Sequence, residues 1–446
     1  MKLGKFYIET YGCQMNEHDS EQMAAQLEEL GYASTSDISS ADVVLVNTCT
    51  IREKPEHKVY SFLGRLRKLK RRNPHMIIGV GGCVAQQHDS ALLDRVPHLD
   101  FVIGTHQAGH LGELLETVRL KRTRLARTCF DTGVFSRRLL RARVHRAAAA
   151  ARAYVTVMEG CDNFCSFCVV PYVRGRERSR PSREILQEVR RLTEAGVVEI
   201  TLLGQNVNSY GRKDGDISFP QLLKRLGEVE GLARLRFTTS HPRDFSAEVI
   251  QAFADIPTLC GHVHLPLQSG STRILRRMNR GYTRAEYLEK VKSLRQTRPG
   301  IAVTSDMIVG FPGETEKDFQ ETLSLMEKVR FDGLYSFQYS ARPGTAASRM
   351  ADDVPPEEKA RRLKILQKLQ DQHTLDGNRR MAGEVVEVLV EGPSRNSHRE
   401  MTGRSRCNRV VNFPGKSELA GKLVSVRIEE GLKHSLRGTL ISDISE

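Results

Sequence analysis

Tryptophan is absent from this 446-residue chain, and aromatic residues make up only 6% of it. With hydrophobic residues at 39% and charged ones at 27%, the composition is that of an ordinary globular protein. No apolar run approaches the roughly 20 residues of a bilayer span, so no membrane association is expected. Glu9 interrupts the apolar character that a signal peptide would need near the start, and residues 1–11 read instead as a first strand of a cytoplasmic protein. Cysteine is sparse, nine residues in all, which excludes a disulfide scaffold at this length. In a reducing compartment such thiols point to metal binding or catalysis. Acidic residues are outnumbered, 54 against 68 Lys and Arg, for a formal net charge of +14. The imbalance is uneven, with nine Lys/Arg against two acids in 52–72 and eleven against one in 119–152. Clusters of that sign suit a polyanion, nucleic acid first. The length suggests two or three domains.

Three of the nine cysteines crowd into Gly160-Cys161-Asp162-Asn163-Phe164-Cys165-Ser166-Phe167-Cys168, after a strand-like run over 153–158. Loops this short cost little to close, so the three thiols can surround one metal centre. Three thiolates would hold an iron–sulfur cluster and leave one iron open for chemistry. A structural zinc site and unrelated buried thiols are the competing readings. Zinc would call for a fourth Cys or His close by, and 169–180 offers none. Cys-x3-Cys-x2-Cys with an aromatic residue before the last cysteine resembles the signature of the radical S-adenosylmethionine (SAM) superfamily. That resemblance implies a [4Fe-4S] cluster on Cys161, Cys165 and Cys168, with the open iron chelated by SAM and Phe167 near the adenine.

Residues 1–118 set three more cysteines in a regular pattern. Strands are predicted over 6–11, 42–46 and 76–80, running into Gly12-Cys13, Asn47-Thr48-Cys49 and Gly81-Gly82-Cys83, with a fourth over 101–103. Helical patterns separate them: Met23, Leu27 and Leu30 before Gly31, then Val59, Phe62, Leu63, Leu66 and Leu69, then 108–118. This alternation predicts an α/β domain with a parallel sheet, whose sites form outside the carboxyl ends of the strands. Cys13, Cys49 and Cys83 all fall there beside small residues that permit close approach, so a second three-thiolate cluster is expected rather than three buried thiols. Asn16 and Asn47 would hydrogen-bond near it or cap local structure.

A basic connector over 119–152 follows, including Arg137, Arg138, Arg141, Arg143 and Arg146 and an alanine run, and reads either as an RNA-facing strut or as a solvated junction. Cys129 within it is expected to be inert. Over 153–376 six strands (153–158, 198–203, 235–239, 261–265, 302–309 and 333–337) alternate with helices, each strand running into a polar loop. A barrel with function at one rim is the natural solution. It resembles the partial (β/α)6 barrel of radical SAM enzymes, which implies SAM contacts at Gly204, Gln205 and Asn206 and, with His241, at Ser240, Gln268, Asp306 and Gly310. Arg174, Arg176, Arg178 and Arg180 would grip phosphates or the SAM carboxylate, or else serve only solubility. A closing helix over 356–376 starts after Pro355.

Over 380–446 the period changes to two, and five short strands predict a small β-barrel of the kind that binds single-stranded or looped RNA. The module resembles the TRAM domain. Arg395, Arg404, Arg406, Arg409, Lys433 and Arg437 would meet phosphates, although ten Lys/Arg against nine acids over 381–446 leave the module nearly neutral. Cys407 is expected to be non-catalytic.

The order of these parts resembles the radical SAM methylthiotransferase family. Leu203-Gly204-Gln205-Asn206-Val207-Asn208, Phe237-Thr238-Thr239-Ser240-His241-Pro242, Tyr339-Ser340-Ala341-Arg342-Pro343-Gly344 and Val410-Val411-Asn412-Phe413 are most similar to its tRNA-modifying branch. The resemblance implies 2-methylthiolation of N6-isopentenyladenosine in a tRNA anticodon stem-loop, with SAM and two [4Fe-4S] clusters as cofactors. One cluster would cleave SAM, the other would present sulfur, and both would face one cavity. It further implies an electron donor such as flavodoxin or ferredoxin, a sulfur source, and a cytoplasmic monomer. Methylthiolation of a ribosomal-protein aspartate or of threonylcarbamoyladenosine, a radical SAM enzyme whose first domain is only a scaffold, and a non-enzymatic RNA-binding metalloprotein stay open.

Overall fold

Val43–Thr48 is buried at every position, as a strand covered by helices on both faces must be. It lies near the middle of a six-stranded parallel sheet in the computed structural model, which describes residues 4–49, 53–130, 151–214, 216–395 and 397–443. The strands are β1 (Gly4–Thr10), β2 (Tyr32–Ser34), β3 (Val43–Thr48), β4 (Ile77–Gly82), β5 (Phe101–Ile103) and β6 (Leu125–Arg127), in the order β2-β1-β3-β4-β5-β6. Helices Gln14–Glu29 and Leu111–Lys121 cover one face, where Met23, Leu27 and Leu114 pack on Phe6, Leu45 and Phe101. Helix Glu53–Arg72 covers the other, with Val59, Leu63 and Leu66 against Val44, Val46 and Ile78. Leu30 does not join its expected helical face; it caps the first helix and is 39% exposed. Strands β2 and β6, three residues each at the two edges, went unpredicted. Strand β6 draws Leu125–Arg127 into the sheet, inside the stretch read as a basic connector. The remainder of that connector, 131–150 with Arg137, Arg138, Arg141, Arg143 and Arg146, lies outside the described residues.

The central strands are β7 (Arg152–Thr156), the two-residue pair β8 (Met158–Glu159) and β9 (Arg178–Ser179), then β10 (Glu199–Leu203), β11 (Arg234–Thr238), β12 (His262–His264), β13 (Ala302–Val309) and β14 (Gly333–Gln338). Two three-stranded parallel sheets, β11-β10-β7 and β12-β13-β14, approach each other at a bridge between Leu235 and Leu259. Together they give the six-stranded open barrel expected from the alternation. Its helices start at side-chain caps such as Thr283 with Glu286 and Thr315 with Asp318, each satisfying backbone N–H groups that a first turn leaves orphaned. Helix Pro356–Arg379 closes the series behind Pro355.

The last five strands, β15 (Val385–Ser394), β16 (Ser397–Ser405), β17 (Val410–Pro414), β18 (Leu423–Gly431) and β19 (Leu436–Asp443), form a closed barrel around Val388, Met401, Val411, Phe413, Val424 and Val426. Arginines fasten it to the central strands. Buried Arg234 donates to Glu387 at 2.8 Å and to Arg404 O, while Arg236 donates to Ser405 O and Arg406 O. Two of the six expected phosphate contacts, Arg406 and Arg409, are corrected, being committed within the chain. Arg406 bonds Pro257 O at 2.5 Å, and Arg409 pairs with Asp332 and Asn378. Arg404 pairs with Glu391, Lys433 with Asp371 and Arg437 with Glu400. Arg395 stays exposed. Among the described residues, no helix is long and apolar enough to cross a membrane.

Candidate functional site

Gly12 carries β1 into Cys13, and helix Gln14–Glu29 starts there. Asn16, fully buried in its first turn, lies 3.5 Å from Cys13 Sγ and donates to Asn47 Oδ1 at 3.2 Å and Thr48 O at 3.0 Å. Asn47 returns bonds to Asn16 O and Ser20 Oγ, and Thr48 Oγ1 donates to Gly81 O at 2.5 Å. The ends of β1, β3 and β4 are thereby tied into one network carrying Cys13, Cys49 and Cys83. Glycine is required at two of these corners. A Cβ on Gly12 (φ +146°) would lie 2.8 Å from Cys49 Cβ, and one on Gly82 (φ +86°) would collide with Thr48 O.

The three thiols are not equivalent. A hydrogen bond with Cys49, helped by Arg174 and opposed by burial, pulls Cys13 down to about 6. Burial pushes Cys83 up, with Arg174 working against it. Cys13 is thus deprotonated more readily than Cys83. Among the described residues, no three His, Cys, Asp or Glu side chains are tight enough to hold one metal ion. A cluster makes a different demand, because each thiolate binds its own iron and the sulfurs are spread over separate corners.

The segment after Cys168 belongs to the same compact unit as this set, as does Cys161; Cys165 belongs to the second. Val169 and Val173 pack on Cys83, Thr105 Oγ1 donates to Val173 O at 2.7 Å, and His106 Nε2 lies 3.0 Å from Arg174 O. Arg174 is buried and pairs with Asp19 at 2.6 Å. Arg176 pairs with Asp162 at 2.9 Å and Arg180 with Glu188 at 2.8 Å. For three of the arginines expected to wait for an external anion the expectation is corrected: carboxylates of the chain already hold Arg174, Arg176 and Arg180.

In the second unit, Cys165 lies 3.2 Å from Arg280 Nη1 and 3.7 Å from His241 Nε2. Arg280 is buried and also donates to Pro266 O at 2.6 Å and the Tyr282 hydroxyl at 3.0 Å. Burial, with Arg280 and Arg243 nearby, drives the His241 imidazole far below its ordinary value, so it is neutral. The loop is anchored by Ser166 N to Met278 O, Ala347 N to Ser166 O, and Asn279 Nδ2 to Phe164 O.

The residues expected to contact SAM divide into two groups. Asn206 is committed internally, donating to Asp244 Oδ2 at 2.7 Å and accepting from His241 N at 3.1 Å. Gly204 is closely packed on Met158 and Val207, and Phe167 is half-buried beside Ile274, Met278, Phe311 and Tyr339. Gln268 bridges Met307 through its backbone at φ +77°, and Asp306 lies 3.4 Å from His264 Nε2. Gly310 is needed because Lys359 fills the space a Cβ would take, and its N–H donates to Glu314 Oε1 at 3.0 Å. Ser240 is different: its Oγ is buried with no protein hydrogen-bond partner, as are Thr156 Oγ1 and both amide atoms of Asn208. These follow or end strands β11, β7 and β10 at their carboxyl ends, where a polar ligand would satisfy them. Gln205 lies in the same loop, half-buried.

Sequence reasoning missed Asp19, Arg280, Tyr282 and Thr156, quoted Asn208 only within a motif, and gave Arg174 an anion-gripping role rather than a place beside Cys83. Neither buried arginine stands out from the many exposed ones, and only packing shows which cations meet sulfur.

Three family models match the chain: Uncharacterized protein family UPF0004 over residues 5–104, the Radical SAM superfamily over 155–326 and the TRAM domain over 379–441. Proteins described as tRNA-2-methylthio-N(6)-dimethylallyladenosine synthase align along nearly the whole length. The one from Syntrophus aciditrophicus is 50% identical, covering 98% of this chain and 94% of its own. That from Geobacter metallireducens is 53% identical, covering 97% and 98%. Among solved structures, the radical S-adenosylmethionine methyltransferase TsrM from Kitasatospora setae, with cobalamin and a [4Fe-4S] cluster bound, superposes with a TM-score of 0.55 at 14% identity over 77% of each chain, a likeness of fold alone.

Proposed function

The chain belongs to the family of tRNA-2-methylthio-N(6)-dimethylallyladenosine synthases, and from that premise we infer that it replaces the C2 hydrogen of N6-isopentenyladenosine beside a tRNA anticodon with a methylthio group. The observation that carries this is identity of about half over 98% of the chain, running through all three parts at once. The cofactors are SAM and two [4Fe-4S] clusters. Cys161, Cys165 and Cys168 would hold one cluster and Cys13, Cys49 and Cys83 the other. When bound, these groups supply the radical and the sulfur that an unactivated C–H bond demands and no side chain provides.

The chain's own residues do the rest. Neutral His241 and the Arg280 guanidinium orient Cys165 and offset the charge of its thiolate. Asn206 fixes His241 through its backbone N–H. Ser240, Thr156 and Asn208 have buried polar atoms that would meet the polar parts of SAM, and Gln205, Gln268, Asp306, Gly310 and Phe167 would complete its site. Asn16 donates to the β3 end and keeps Cys13 beside it. The exposed cations Arg65, Arg67, Lys68, Arg71 and Arg72 on helix Glu53–Arg72 suit an RNA backbone, and the terminal barrel engages the anticodon stem-loop. A one-electron donor such as flavodoxin or ferredoxin and a sulfur source complete the requirements of a cytoplasmic monomer.

Anaerobic reaction of reconstituted protein with isopentenylated tRNA, SAM and reductant, followed by mass spectrometry of the nucleosides, tests the reading. A gain of one CH2S unit on the modified adenosine is expected. Unchanged nucleosides alongside vigorous SAM cleavage would move the activity to another substrate.

A further inference from the structure

Arg174 has no part in the function described above, yet its side chain is only 6% exposed. The strap after Cys168 delivers it. Val169 and Val173 seat on Cys83, while Thr105 and His106 hold the carbonyls of Val173 and Arg174. The guanidinium meets Asp19 at 2.6 Å and lies beside Cys83, with Cys13 and Glu159 also within its electrostatic reach. Gly175, next along the strap, accepts a hydrogen bond from Cys161 N at 3.2 Å. A fixed cation beside thiolates in a site shielded from water lowers the cost of any further negative charge placed there. Asp19 moderates that effect and aims the guanidinium.

We propose that Arg174 is a positioning residue for the Cys13–Cys49–Cys83 set, its Asp19-oriented guanidinium setting the reduction potential of the cluster held there. The inference rests on assigning a cluster to those three cysteines, and the iron and sulfide content of the wild type reports that assignment separately.

Full-length protein is reconstituted anaerobically and titrated with dithionite and mediators, both clusters being followed by electron paramagnetic resonance. Arg174→Gln is expected to shift the one-electron reduction of the N-terminal cluster at least tenfold toward the oxidised form, about 59 mV. Asp19→Asn, which leaves the cation uncompensated, shifts it the opposite way, and Arg174→Lys stays within about threefold of wild type. Should Arg174→Gln lose that cluster, the opposite-sign shift in Asp19→Asn and retention by Arg174→Lys still support the proposal. An unshifted potential in cluster-loaded Arg174→Gln overturns it, and so do same-sign shifts in Arg174→Gln and Asp19→Asn, which mark a merely structural pair. Wild-type protein holding iron for one cluster only overturns the assignment beneath it instead.

Discussion

Cys161, Cys165 and Cys168 come from one short loop, whereas Cys13, Cys49 and Cys83 come from the ends of three strands separated by helical crossovers. A buried arginine accompanies each set, but in different company. Arg280 beside Cys165 donates to the neutral Tyr282 hydroxyl and the Pro266 carbonyl, while Arg174 beside Cys83 is held by the Asp19 carboxylate. The loop set depends on local chain geometry. The strand-end set depends on the register of an entire sheet, and its cation is tempered by a counter-charge.

The sharpest way to separate the two is to remove one thiol from each. Cys165→Ala should abolish both 5′-deoxyadenosine release and product. Cys13→Ala should leave SAM cleavage in place while methylthiolated nucleoside disappears, a split read by chromatography and mass spectrometry. Retained sulfur insertion in Cys13→Ala would end the idea of two distinct roles.

Next in size is the arginine of the loop set. Arg280→Gln keeps a donor but removes the charge facing Cys165, and iron retention at that set should fall about 10–100-fold, the usual cost of losing a group that orients a metal ligand. Iron at the strand-end set should be unaffected in the same sample. The reciprocal change is Gly82→Ala, whose Cβ would meet Thr48 O at φ +86°. It should destabilise the first unit by about 2 kcal/mol in denaturant titration and cost iron at Cys13, Cys49 and Cys83 alone.

The pH dependence of the cluster-free protein distinguishes members within the strand-end set. Because Cys13 is lowered to about 6, its alkylation by iodoacetamide should rise with pH to a midpoint near 6, while Cys83, raised by burial, should require higher pH. The depressed value also means that this thiolate's stabilisation is fully present above the ordinary thiol range and lost as pH falls toward 6. Coincident midpoints for the two thiols would contradict the inequivalence. The smallest effect is expected away from both sets. Arg67→Gln on helix Glu53–Arg72 should lower the salt slope of tRNA binding by about 1 and change neither cluster's spectrum.

Periodicity made β1, β3, β4 and β5 legible, along with β7 and β10 to β14, because apolar runs and polar strand ends carry their own signal. Edge strands β2 and β6 did not, since Tyr32-Ala33-Ser34 and Leu125-Ala126-Arg127 lack the apolar run that marks the equally short β5. The cations of the terminal barrel misled for another reason. Arg406 and Arg409 look like any exposed basic residues in a line of text, but Pro257 O and Asp332, distant in sequence, already bind them.

The residues alone determined where thiols fall relative to strand ends and in which order the three parts follow, since both depend on spacing along the chain. Which arginine meets sulfur, which meets a carboxylate and which faces solvent was decided only by packing, because electrostatic partners are chosen by distance in space and burial from water, neither of which is written in sequence separation.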